Sequence, residues 1–269
     1  MQFGCNKSSY DSRDYKLNAQ VVNNTKLPTE YVIPIKVNVK NQKSVWSCVA
    51  HAASSILEHH AKANETLSTN FIYGIQKKLF NHKVRGMTLR DACKIMADYG
   101  DMLESDCSGN TEVPNCFSIA EDAFDDDAKL QKASEYRISK YFLCLNNQHI
   151  KYALYKYGPV LAAMRWYDTY KVDKTGKLTG EKKGLGYGHA IMIYGYNEKG
   201  FLCQNSWGTY WGNGGRFILP YSIKLQEARG IVDWNGTTEL KTPKTGTVAN
   251  TAYKAWNAWV NTVAKVIYK

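Results

Sequence analysis

Three residues of this chain could together attack a carbonyl: Cys48, His189 and Asn205. Cys48 lies in Gln42-Lys43-Ser44-Val45-Trp46-Ser47-Cys48-Val49-Ala50-His51. Ser47 reads there as a helix cap, and Val49, Ala52, Ala53, Ile56 and Leu57 recur at helical spacing. A cysteine attacks as thiolate, and its ordinary pKa of about 8.5 must fall for work at neutral pH. The unsatisfied N–H groups and the dipole of a first helical turn favour the anion, as does a neighbouring imidazolium. By itself, though, a first-turn cysteine in an alanine-rich helix is an ordinary small buried side chain.

The downstream residues change that balance. Gly186-Tyr187-Gly188-His189-Ala190-Ile191-Met192-Ile193 sets a histidine at the mouth of an apolar strand, behind a glycine-rich loop. Gln204-Asn205-Ser206-Trp207-Gly208 follows on the next strand, in reach of His189 if the two strands are antiparallel. The Asn205 amide oxygen can accept from one ring N–H, fix the tautomer and turn the other nitrogen to the thiol. Trp207 would cover that hydrogen bond.

Gln42, Cys48, His189 and the string Asn205-Ser206-Trp207-Gly208 resemble the papain and cathepsin family of cysteine peptidases. Leu27-Pro28, Asn41-Gln42 and Tyr157-Gly158-Pro159-Val160 fall where that family has comparable pieces, so the resemblance spans residues 27–233. The step from Cys48 to His189 also suits the family's interval of about 130–150 residues. The resemblance implies an α+β, two-lobe fold, with a helical first lobe, an antiparallel β-barrel-like second lobe and the site in the groove between them. It implies peptide-bond hydrolysis with Cys48 as nucleophile, His189 as base, Asn205 as its orienting partner and Gln42 in the oxyanion hole. It also implies peptide contacts at Gly86, at Ala163 in a pocket wall, and at Trp207. Using the same thiol, acyl transfer or cell-wall amidase activity is a second reading; a catalytically idle binding protein is a third. Val45, Trp46 and Val49 depart from the family's usual cysteine, glycine and tryptophan. Those departures bear on substrate range and suit a bacterial or viral branch.

The elements that must position these residues are legible in outline. Helices are expected over Ser68–Leu79, Thr88–Tyr99 and Gln148–Tyr157, with an acidic surface helix in 118–132. Strands are expected over Tyr136–Leu145, Val160–Trp166, Ala190–Tyr196, Gly200–Gln204 and Gly215–Leu219, after an extended Tyr31–Val39. Residues 1–26 form a polar flank too short for the family's long propeptide. Whether Ser9–Tyr15 covers the cleft is left open. Residues 27–236 are the catalytic domain, 237–250 a linker and 251–269 an amphipathic helix. That helix is expected to dock on its own domain, a partner or a membrane surface.

The net charge of +11 comes from scattered lysines interleaved with acids, which reads as a basic surface and not as a specific nucleic-acid site. Seven cysteines without a CxxC pair or a matching histidine cluster point to no metal and no cofactor. Cys107 and Cys116 flank a turn-rich loop and are the expected pair under oxidation. No apolar run reaches a membrane-spanning length, and Met1–Lys7 lacks an apolar signal region. The expectation is a soluble protein, cytoplasmic or released without a signal peptide. Among the remaining histidines, His51 is expected to pack within its helix. His59 and His60 are expected as cations at its end, and His82 and His149 on the surface.

Overall fold

The computed structural model describes residues 3–62, 65–79, 84–107 and 127–233. The linker, the C-terminal helix, Cys116, His82 and most of the acidic stretch lie outside the described residues.

The first lobe is built on three helices: α2 (Cys48–Ala61), α3 (Thr69–Leu79) and α4 (Leu89–Asp98). α2 is the central one, because Cys48 to Glu58 are all buried. Its run of small residues (Ala50, Ala52, Ala53, Ser54, Ser55) lets neighbours approach, while Ile56 and Leu57 fill space at its far end. Burying each such large aliphatic side chain stabilises by about 1.5–3 kcal/mol. α4 begins where the Thr88 hydroxyl accepts from the Asp91 N–H, an N-cap that removes Thr88 itself from the expected helix. A short α1 (Ala19–Asn24) precedes the lobe, capped by Asn18.

The second lobe is built on one sheet, to which β2 (Tyr31–Val32) and β11 (Leu225–Asp233) both belong. Its main path runs from β10 (Arg216–Leu219) through β9 (Gly200–Gln204), β8 (Gly186–Asn197), β5 (Val160–Tyr167) and β11 to β4 (Ile138–Leu143). β2 pairs with β8. Every pairing on the main path is antiparallel. The path is open, so among the described residues the barrel-like curl expected of this lobe does not close. The fold is α+β.

Strand alternation sends side chains to two cores. Leu161, Ala163, Ala190 and Met192 pack towards α2 with the first-lobe helices. Val160, Ala162, Met164, Ile191 and Ile193 face the opposite way, onto Ile150, Ala153 and Leu154 of α6 (Asn147–Lys156). A sheet buried on both faces reads as continuous apolar runs, as in Val160-Leu161-Ala162-Ala163-Met164 and Ala190-Ile191-Met192-Ile193. α5 (Asp127–Ala133) is the described part of the expected acidic helix.

β11 was not anticipated. Its sequence Leu225-Gln226-Glu227-Ala228-Arg229-Gly230 carries charges at Glu227 and Arg229, which mask a strand that sits between β5 and β4. A second unanticipated piece is β1 (Cys5–Asn6), which pairs in parallel with β3 (Met87–Thr88) of the first lobe. Tyr31–Val39 is strand only at Tyr31–Val32.

Candidate active site

Three structural features bring the expected residues together. Helix α2 begins at Cys48, strand β8 carries His189, and the loop after β9 carries Asn205. The Cys48 sulfur is fully buried, and backbone N–H groups of Ala190, Gly4, Val49 and Cys48 point at it. Two of those donors belong to the first helical turn. Ala190 adjoins His189, so the thiol sits beside the strand position that carries the ring. β8 and β9 are antiparallel, with Met192 opposite Gln204, which sets Asn205 next to His189.

His189 Nε2–H donates to Asn205 Oδ1 at 2.7 Å. The acceptor is a carbonyl oxygen, so the proton is assigned to Nε2, leaving Nδ1 as the basic nitrogen. Nδ1 is buried and has no hydrogen-bond partner. Trp207 stacks on the imidazole with ring centroids 4.6 Å apart and an interplanar angle of 27°. Trp166 packs edge-on to His189 at 5.8 Å and to Trp207 at 4.8 Å. This aromatic wall shields the His189–Asn205 hydrogen bond from water, as Trp207 was expected to do.

Gln42 is fully buried and held from several directions. Its backbone N–H donates to Ser206 O at 2.8 Å, its Oε1 accepts from Ser206 Oγ at 2.7 Å, and its Nε2 donates to Val45 O at 2.8 Å. The Gly208 N–H donates to Lys40 O, and Asn41 bridges to Trp207. The Gln42 loop and the Asn205–Gly208 loop are therefore stitched into one unit ahead of α2.

The N-terminal segment runs through this site. Phe3 stacks on Tyr187 at 4.9 Å and meets His189 and Trp207 edge-on at 5.6 and 5.9 Å. The Gly4 N–H faces the thiol while its carbonyl accepts from Met87 N–H at 2.9 Å. A side chain at Gly86 or Gly188 would collide with this segment. A Cβ on Gly86 would come within 2.3 Å of Gly4 O, and one on Gly188 within 2.0 Å of Cys5 O. Ser9–Tyr15, the stretch considered for covering the cleft, lies farther on; residues 3–6 occupy that place.

Ala163 lines a cavity with Cys5, Gly188, Arg165, Gln226 and Glu227. The small wall expected there exists, but its surroundings are more polar than an apolar pocket would have. Gly86 abuts the cleft-lying segment, and its own N–H donates to Tyr73 Oη at 3.2 Å.

The closed site changes the expected electrostatics. Burial pushes the Cys48 thiol up to about 11, and the N–H groups aimed at its sulfur only partly oppose this. Burial also lowers His189 to about 4, against the opposing effect of its bond to Asn205. Desolvation in the closed site thus opposes charge on both groups, against the pull of the helix terminus and of Asn205.

Other expectations are corrected as well. The Ser47 side chain makes no cap; its Oγ lies 3.2 Å from His51 Nδ1, which is also 3.0 Å from Ser47 O. His51 thus packs inside its helix, as expected. His59 and His60 end α2, but burial lowers both pKa values, His60 to about 4, which opposes the cationic state expected of them there. His149 is 4% exposed and belongs to the interior, because it falls in the inward-facing first turn of α6. Among the described residues no group of histidines, cysteines and carboxylates has the arrangement to hold a metal. None of the described helices is long and apolar enough to cross a membrane.

A buried thiol on a helix start, a histidine bonded to an asparagine and a seam between a helical and a sheet lobe define a thiol-hydrolase type of site. The family model described as papain family cysteine protease matches residues 32–229. The chain belongs to the papain family of cysteine proteases. It is 27% identical over 218 residues to the peptidase C1-like protein L477 of Acanthamoeba polyphaga mimivirus, covering 72% of this chain and 68% of that one. It is 25% identical over 193 residues to the viral cathepsin of Adoxophyes honmai nucleopolyhedrovirus, covering 69% of this chain and 54% of that one. The chain therefore spans between half and about two thirds of these relatives' length. Xylellain, a cysteine protease from Xylella fastidiosa, superposes with a TM-score of 0.73 at 21% identity, over 86% of this chain and 96% of that structure. A proCathepsin B from Trypanosoma congolense does so with a TM-score of 0.63 at 15% identity, over 86% of each.

Proposed function

We propose that this chain is a thiol endopeptidase working through an acyl-enzyme on Cys48. The observation that carries the reading is the 2.7 Å bond from His189 Nε2–H to Asn205 Oδ1, which leaves Nδ1 to act as base on the strand whose next residue, Ala190, meets the Cys48 sulfur. The Cys48 proton passes to His189 Nδ1, and the thiolate attacks the peptide carbonyl carbon, forming a C–S bond as the carbonyl electrons move to oxygen. The Cys48 backbone N–H and the Gln42 side-chain amide stabilise that oxyanion. His189 then protonates the leaving amine as the C–N bond breaks. Water, losing a proton to His189, releases the acid and returns the thiolate. Peptide backbone would lie along Gly86–Thr88, with a side chain against Ala163 and the leaving group beside Trp207.

The test is hydrolysis of a peptide library together with a peptidyl epoxide. Loss of hydrolysis should match a mass gain on the tryptic peptide containing Cys48. A chain that binds peptides without cutting them, with its N-terminal segment unseated, would be an idle relative and would end this reading.

Gln42→Ala is expected to lower kcat by about 10²–10³-fold with little change in KM, the cost of one oxyanion donor. Steady-state kinetics check it. An equal rise in KM with kcat unchanged would move Gln42 from the oxyanion to ground-state binding.

A further inference from the structure

We infer that residues 3–14 are a strap that keeps the site closed, and that its lock is the Asp14 carboxylate clamped between Arg90 on α4 and Arg229 on β11. The inference rests on the peptidase reading above for what the strap regulates, but its geometry stands by itself.

At Gly4 the strap lies against Cys48: the Gly4 N–H faces the sulfur, while the Gly4 carbonyl is held by Met87. Two backbone pairs with β3, Cys5 with Met87 and Asn6 with Thr88, are a short hold. A two-residue ladder is weak by itself.

The second hold lies eight residues on. Asp14 Oδ2 is 2.6 Å from Arg90 Nη2 and 3.1 Å from Arg229 Nη2, and Asp14 Oδ1 is 3.2 Å from Arg90 Nε and from Arg229 Nη1. Each guanidinium is bidentate on the same carboxylate, so its two oxygens accept four charge-assisted bonds. The side chains are almost dry: Arg229 is 1% exposed, and Arg90 and Asp14 9% each. Arg229 Nε also donates to Glu227 at 2.6 Å, and Glu227 accepts from Ser8 Oγ at 2.9 Å. Arg90 Nη1 reaches Ser9 Oγ at 3.4 Å. Because α4 belongs to the first lobe and β11 to the second, one strap carboxylate ties both lobes across the seam. Between the two holds the chain is open to solvent, with Tyr10 85% exposed.

A dry carboxylate between two guanidiniums is screened little by salt and resists protonation. The Arg90 and Arg229 hydrogen bonds hold Asp14 down to about 2. Its stabilising contribution is present above the ordinary aspartate range and is lost only as pH falls through about 2. Mild acid therefore leaves the lock charged.

The test compares three proteins: the parent chain, Asp14→Asn, and Gly4→Ala, in which the new Cβ would meet Trp46 O at 2.0 Å and expel the strap without touching the charge cluster. Iodoacetamide incorporation at Cys48, read by mass, measures access; hydrolysis of a peptide library measures activity; thermal unfolding confirms the fold. Both variants are expected to label about tenfold faster than the parent or more, and to cut peptides correspondingly faster. A folded Asp14→Asn that labels at the parent rate overturns the lock. Should Asp14→Asn not fold, Arg90→Gln takes its place, with the same expected and overturning results. Faster labelling with no hydrolysis in any variant upholds the strap and refutes the peptidase reading instead.

Discussion

Cys48→Ala is expected to abolish peptide hydrolysis, to below about 10⁻⁴ of the parent rate, while thermal unfolding stays close to the parent's. The size follows from the mechanism. Removing the attacking atom of a covalent mechanism leaves only the residual catalysis of binding and oxyanion stabilisation. The small effect on the fold follows from the packing. Cys48 occupies the first turn of α2 in a cluster with Val45, Val49, Ala190 and Met192, where alanine removes one sulfur and no hydrogen-bond network. The thiol's neighbours are N–H groups whose loss of a weak acceptor costs little. The measurement is best made in the Gly4→Ala background, where the strap is displaced and the parent rate is high. Hydrolysis persisting there at more than a few per cent would assign the chemistry to another group.

What the sequence disclosed about this site, and what it withheld, divides along a physical line. Cys48, His189 and Asn205 could be singled out from local signatures: a helix start, a histidine leading an apolar strand behind glycines and the loop Asn205–Gly208. Gln42 was reached only through the family resemblance. In the structure β8 begins at Gly186, so His189 lies within the strand and not at its mouth. The helices α3, α4 and α6 were legible to within a residue or two, since an amphipathic period and a cap need only local information. β11 was hidden because Glu227 and Arg229 look like a surface loop. In the strand they pair with each other, and Asp14 and Ser8, more than two hundred residues away, complete the cluster: Asp14 accepts from Arg229 and Ser8 Oγ donates to Glu227. The cleft occupancy of Phe3–Asn6 was hidden for the same reason: a parallel pairing of two residues with Met87–Thr88 has no periodicity of its own. The electrostatics were hidden as well: a thiol at a helix start reads as activated in one dimension, but burial by residues distant in sequence acts against charge on both Cys48 and His189.

That burial sets the last prediction. In the parent chain, iodoacetamide alkylation of Cys48 should rise about tenfold per pH unit from pH 7 and show no plateau before about pH 10, because its thiol is pushed up to about 11. The sign follows from desolvation, which penalises the anion: the folded closed state prefers the protonated thiol, so thiolate becomes abundant only above the ordinary cysteine range. At pH 7 a thiol of pKa 11 holds about 10⁻⁴ thiolate, against about 3 × 10⁻² for an ordinary one near 8.5, a deficit of roughly 300-fold. Displacing the strap by Gly4→Ala returns water to the sulfur and leaves the helix N–H groups and His189 to act on it, so the plateau should move down by two units or more. Alkylation rates across pH 6–10.5 for the two proteins decide the matter. Coincident profiles would mean that the strap does not govern the charge of the nucleophile. A parent plateau near pH 8 would mean that the buried thiol is already activated, and the closed site would then be restrained by access alone.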